Sequence, residues 1–167
     1  MIEIKKFYDD NGYYLPIDAI ENTKIDMAYE KLIKLYQNPP KNIKHPWNLQ
    51  AHLLANWIHE LCISPPLLDA VENVIGPNIL IQSADIFIKP AKGKNHINWH
   101  QDANYWGLNP YDLVTGWIAL NDVNLDNGCM NYLPKSHLKN KIEHIETFDK
   151  RSDLTRGQEV IIDIDII

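Results

Sequence analysis

Trp99-His100-Gln101-Asp102-Ala103-Asn104-Tyr105-Trp106 is the stretch on which the fold turns. It sets a His-x-Asp pair among aromatic residues in a setting that reads as β-structure. In a strand, positions i and i+2 point to the same face, so imidazole and carboxylate can grip one metal ion together. Two histidines and one carboxylate with open positions form the usual non-heme Fe(II) oxygenase site. The pair alone is weak evidence: with 7 His and 14 Asp in 167 residues, chance supplies about 0.6 such pairs. Its neighbourhood has to carry the reading.

Working outward, the periodicity changes near Pro77. Residues 1–16 read as a short lead-in, with Asp9-Asp10-Asn11-Gly12 as a turn. A helix is predicted from about Ile17 to Tyr36, where Ala28, Leu32 and Tyr36 share a face and Asn38-Pro39-Pro40 stops it. A second helix is predicted over Leu49 to Leu61, with Leu53, Leu54, Trp57, Ile58 and Leu61 as its apolar stripe. The third carries its own punctuation: Ser64 as N-cap, Pro65 in the first turn, and Gly76-Pro77 at the end.

Beyond it, Ile79–Lys89, Asn95–Asp102, Val114–Leu120 and Cys129–Leu133 read as strands, with Asp126-Asn127-Gly128 as a turn. Residues 135–156 are polar and loop-like. Glu159 to Ile167 alternates as a final strand, and a chain that stops inside it looks cut rather than finished. The expectation is one α+β domain, mainly β: helices over 1–77, then an antiparallel sandwich or barrel over 78–167.

Bulk properties exclude several function classes. The net charge is −6 and no Lys/Arg run exceeds two residues, which argues against nucleic acid or an anionic membrane as partner. No apolar run reaches transmembrane length, so no membrane insertion is expected. Met1-Ile-Glu-Ile-Lys-Lys-Phe has no apolar signal-peptide core, and Cys62 and Cys129 sit in apolar company as free thiols, so a cytoplasmic protein is expected.

Several segments in order resemble the phytanoyl-CoA dioxygenase-like family of Fe(II)/2-oxoglutarate oxygenases. They are Ile86-Phe87-Ile88-Lys89-Pro90, Asn98-Trp99-His100-Gln101-Asp102, Trp117-Ile118-Ala119-Leu120-Asn121-Asp122-Val123, Asn127-Gly128-Cys129-Met130 and Pro134-Lys135-Ser136-His137. Asp10-Asn11-Gly12-Tyr13 and Arg156-Gly157-Gln158-Glu159-Val160 extend the resemblance over nearly the whole chain. It implies a double-stranded β-helix, the cupin-like jelly roll, flanked by N-terminal helices.

For the site, the resemblance implies that His100 and Asp102 are two of three iron ligands. Trp117 and Asp85 match positions facing the 2-oxoglutarate cosubstrate, and Gln82 and Trp106 match positions facing the substrate. The implied reaction couples decarboxylation of 2-oxoglutarate by O2 to hydroxylation of a small or lipid-like metabolite.

Two departures stand out. Lys135 replaces the usual glycine of the Pro-Gly-Ser-His segment. The family's distal histidine ligand and its 2-oxoglutarate-binding arginine lie beyond Ile167, so the jelly roll is expected to be incomplete at its C-terminus. Impaired activity of this chain alone and oligomerisation through an open sheet edge follow as expectations.

The bland readings are a hydrogen-bonded His100/Asp102 pair at a strand end, core packing for Trp117, and water-facing Gln82 and Asp85. His96, His137 and His144 are the candidates for a substitute third ligand, and the reading preferred for all three is surface histidine. A non-catalytic jelly-roll binding module and a cupin-like metalloenzyme with another ligand set are the competing functions.

Overall fold

The computed structural model describes residues 2–43, 50–110, 112–139, 141–154 and 158–160. The chain opens with a helix, α1 (Ile2–Asn11), where a lead-in was expected. Lys5–Asp9 and Lys6–Asp10 pair one turn apart on it, and such pairs add to a helix's stability. The expected turn at 9–12 is this helix's end: Gly12 stands at φ +85° and its amide bonds the Tyr8 carbonyl.

The second helix, α2 (Asn22–Gln37), begins later than the apolar pattern suggested, because Glu21 is extended at φ −60°, ψ 140°. Ala28 and Leu32 are its buried residues, while Tyr36 is 45% exposed. The helix expected over 49–61 is broken. Leu49 lies outside the described residues. In place of one continuous helix stand α3 (Ala51–Leu54), an extended Ala55, and α4 (Asn56–Cys62). The break lies at Ala55 (φ −144°, ψ 119°), and fully buried Ala51 donates its free helix-terminal amide to the Ala84 carbonyl, which ties α3 to a distant segment. The break rotates the stripe, leaving Leu53 and Leu54 exposed while Ala51, His52, Ile58 and Leu61 are buried.

The helix predicted from Ser64 matches α5 (Pro65–Ile75), which ends at Gly76. Ser64 holds the N-cap position, yet its hydroxyl makes no capping bond. In the helical part α1 packs against α5 and α3 against α4. Short helix α6 (Ala103–Trp106) and a 3₁₀ turn over Ser136–Lys139 come next, the latter inside the expected loop.

The expected strands differ most. Among the described residues the β-pairing consists of isolated bridges, His96 with Ser152 in parallel and Ile145 with Glu159 antiparallel. A ladder needs a partner about 4.8 Å away. Ile79–Lys89, Val114–Leu120 and Cys129–Leu133 run as irregular chain without one. Their β-branched residues favour extended backbone, but pairing is a property of the partner. Of the last expected strand, Glu159 and Val160 are described, and the remainder lies outside the described residues. The turn after Asn124 is present, and Gly128 (φ +89°) offers its carbonyl to Lys89 Nζ at 2.9 Å. Both cysteines are free thiols.

Candidate metal centre

The segment carrying the pair is fixed from both sides before its side chains are considered. His96 exchanges backbone hydrogen bonds with Arg151 and Asp153, and the Val160 amide donates to the Trp99 carbonyl at 2.8 Å. Asn98 Nδ2 donates to Glu159 Oε2 at 2.6 Å. At Asp102 (φ −55°, ψ −39°) the chain turns into α6, so the pair sits at the junction of extended and helical backbone rather than within a straight strand.

There the two side chains converge: His100 Nε2 lies 3.1 Å from Asp102 Oδ1. The other ring nitrogen, Nδ1, lies 2.7 Å from the Asn98 carbonyl. A carbonyl only accepts, so Nδ1 carries a proton and Nε2 is the atom left for a metal. The second carboxylate oxygen, Asp102 Oδ2, accepts from the Thr115 hydroxyl at 2.5 Å. Tyr105 stands edge-on to His100, with ring centroids 5.6 Å apart.

Electrostatics follow this geometry. Burial works against a charged imidazole at His100, but the Asp102 carboxylate and the Asn98 carbonyl outweigh it and raise the pKa. Burial likewise opposes charge on Asp102, and the bonds from His100 and Thr115 with the imidazolium's charge bring its pKa below the usual value. The phenols of Tyr8 and Tyr132 are pushed up, first by burial and then by the Asp102 charge, which places α1 and the 131–133 segment within its field.

A hollow of about 130 Å³ opens beside His100. Its walls include Trp99 and Gln101 from the ligand segment, Tyr13 after α1, and Tyr132 and His137 from the opposite side. Tyr13 and Tyr132 stack at 5.2 Å. The α1 wall is pinned: His137 Nε2 lies 2.8 Å from the Asp9 carbonyl, and the Lys135 amide bonds the Asn11 carbonyl. Glycine suits this point: its φ is +85°, and a Cβ would stand 2.5 Å from His137 Nδ1, which would have to move.

Residues 8–164 match the family described as Phytanoyl-CoA dioxygenase (PhyH). The chain belongs to this family. The peroxisomal phytanoyl-CoA dioxygenase of Mus musculus is 24% identical over 159 residues, spanning 81% of this chain and 47% of that protein. A probable alpha-ketoglutarate-dependent hypophosphite dioxygenase of Stutzerimonas stutzeri is 30% identical over 117 residues, 68% of this chain and 35% of that one. The apo structure of the non-heme monooxygenase ThoJ superposes with a TM-score of 0.79 at 28% identity, covering 97% of this chain and 60% of its own. The chain thus spans about half the length of the curated relatives it matches.

Phytanoyl-CoA dioxygenase-type proteins use Fe(II), 2-oxoglutarate and O2, and the donors present fit such an ion. His100 Nε2 and Asp102 Oδ1 lie 3.1 Å apart with their other polar atoms engaged, so the pair would offer one nitrogen and one oxygen donor to such an ion. A metal held by both atoms takes the place of a proton on Nε2. The Asn98 carbonyl and the Thr115 hydroxyl supply the outer support that orients ligating histidine and carboxylate groups. Among the described residues no group of three His, Cys, Asp or Glu side chains comes together to hold a metal.

The remaining expected residues are spread out. None of Gln82, Asp85, Trp106 and Trp117 lines the hollow beside His100. Gln82 and Asp85 are exposed, with the Gln82 carbonyl accepting from Gln50. Trp106 ends α6, and Trp117 is 42% exposed, two residues beyond Thr115. His137 is exposed, as expected. His144 is not a surface histidine: it is half-buried and bonded to the Gln101 amide. Thr115, Tyr105 and His144 were missed from sequence. The first two carried no local signal, and His144 was masked by the glutamates at 143 and 146.

Proposed function

We propose that this protein is an Fe(II)/2-oxoglutarate-dependent dioxygenase of the phytanoyl-CoA dioxygenase type, built on a jelly roll and hydroxylating a small or lipid-like metabolite. The observation that carries the reading is the outward-supported His100/Asp102 pair, with both ligand atoms oriented by partners on their far sides. Iron with 2-oxoglutarate and O2 supplies the oxidising chemistry when bound.

The chain's own groups do the rest. His100 Nε2 and Asp102 Oδ1 would hold the ion. The Asn98 carbonyl keeps the imidazole proton on Nδ1, and Thr115 keeps one carboxylate oxygen turned away so that the other faces the metal. We assign Trp117 and Asp85 to the cosubstrate, supported for Trp117 by its position two residues beyond Thr115. Trp106 closes the helix that Asp102 begins, which puts it within one turn of the ligand pair and supports its assignment with Gln82 to substrate. For Gln82 and Asp85 the support is the family resemblance.

Among the described residues His100 and Asp102 are the two candidate ligands, and two protein ligands hold iron more weakly than three, so slow turnover is the expectation for these 167 residues. Ni(II) titration by calorimetry should show one site that His100→Ala abolishes. Succinate release with Fe(II), ascorbate and 2-oxoglutarate should be small. No Ni(II) binding in the wild-type chain would overturn the metal reading. Robust succinate release that disappears in His100→Ala would overturn the slow-turnover expectation and keep the metal.

A further inference from the structure

Residues 142–144 are fastened to the ligand segment by a closed set of hydrogen bonds. The Gln101 main-chain N–H donates to His144 Nε2 at 2.9 Å, and the Ile142 N–H donates to Gln101 Oε1 at 2.8 Å. His144 Nδ1 lies 2.9 Å from the Ile142 carbonyl. The proton positions follow without choice. A backbone N–H only donates, so Nε2 accepts; a carbonyl only accepts, so Nδ1 donates. Both nitrogens of His144 are therefore engaged, and the residue fills neither a surface role nor a ligand role.

What it touches gives the role. Gln101 is the residue between His100 and Asp102, so His144 holds the N–H of the peptide that joins His100 to Gln101, one of the two peptide groups linking the ligands. Tyr105 adds a second link, standing edge-on to the His100 ring and, at 6.3 Å and 90°, to the His144 ring. The partners are 43 and 41 residues apart in sequence, so neither bond arises from local chain geometry.

Resting on the iron reading of His100 and Asp102, we infer that His144 is a positioning residue that sets the angle between the two metal ligands by clamping the Gln101 peptide. The clamp needs an acceptor at the ε position of residue 144. Glutamine offers an oxygen there; asparagine, with the same chemistry one carbon shorter, does not.

The test compares wild type, His144→Gln, His144→Asn and His144→Leu by amide hydrogen exchange at Gln101 and by Ni(II) affinity. Loss of the acceptor should speed Gln101 exchange about tenfold relative to amides of α2. It should weaken Ni(II) by about tenfold or more, the usual effect of removing an outer support. His144→Gln should stay close to wild type in both readouts, whereas His144→Asn should follow His144→Leu. A residue that merely filled space would not separate Gln from Asn.

Unchanged exchange and affinity in His144→Leu would overturn the inference, as would equal behaviour of the Gln and Asn variants. Should His144→Leu not fold, Gln101→Met removes the other half of the clamp with His144 intact. It is expected to weaken Ni(II) similarly, and wild-type affinity in it counts against the clamp. If the wild-type chain binds no Ni(II), the iron reading fails, and Gln101 exchange alone still decides whether the clamp exists.

Discussion

Replacing Thr115 by valine removes one hydroxyl, keeps the side chain's shape, and leaves Asp102 Oδ2 without its protein donor. The bond is short and made to a charged oxygen, the stronger kind of hydrogen bond. Bonds to ionised groups contribute about 1.5–3 kcal/mol. Asp102 keeps 39% of its side-chain surface accessible, so water replaces part of what is lost. About 1 kcal/mol should remain, which is about fivefold in an equilibrium constant. Two independent measurements should move together. Ni(II) affinity should fall about fivefold, because the carboxylate is no longer turned toward the ion. The Asp102 carboxyl, followed by carbon NMR without metal, should titrate at higher pH, because a bond favouring its charged form is gone. Thr115→Ser keeps the donor and should behave as wild type. A valine variant with unchanged Ni(II) affinity and an unchanged Asp102 titration would refute the role given to Thr115.

At Gly12, alanine meets two obstacles. A φ of +85° costs a residue with Cβ about 1–2 kcal/mol, and displacing His137 loses its bond to Asp9, worth about 1 kcal/mol. Urea unfolding should show about 2–3 kcal/mol of destabilisation by Gly12→Ala. In a His137→Ala background the same change should cost less, so strictly additive effects would count against this contact. At Asp149, bonds from the Arg151 side chain and amide hold the carboxyl down at about 2. A folded pKa below the unfolded value means a stabilising contribution present above about pH 4 and lost as pH falls toward 2. Amide shifts of residues 149–153 should follow that titration and sit flat from about pH 5 to 7; a midpoint near the ordinary carboxylate value would break the assignment.

Legibility from sequence followed the range of the forces involved. The α5 boundaries were readable because Pro65 and Gly76 act on their own backbone. The break at Ala55 was not, because neither Gly nor Pro marks it, and the tie from Ala51 to the Ala84 carbonyl joins segments far apart in sequence. His100 and Asp102 were found through the ordered segments around them, although a straight strand was the wrong picture of how they meet. Their supports divide in the same way. Asn98 is two residues from His100 and acts through a carbonyl that any residue possesses. Thr115 is one hydroxyl in an apolar run, and His144 lies 43 residues beyond the amide it holds. Period-2 alternation read the strands as a tendency of single segments, and pairing belongs to two segments at once.

The docking of α1 has a practical side. Helix α1 buries little of its own surface and would be the natural stretch to trim when seeking a smaller, better-behaved domain. Yet the carbonyls of Asp9 and Asn11 anchor the 135–137 turn, and Tyr13 forms one side of the hollow beside His100. A version starting at Tyr14 would lose that side of the hollow and both anchors of the 135–137 turn, so the first thirteen residues shape the space beside His100 rather than merely cover it.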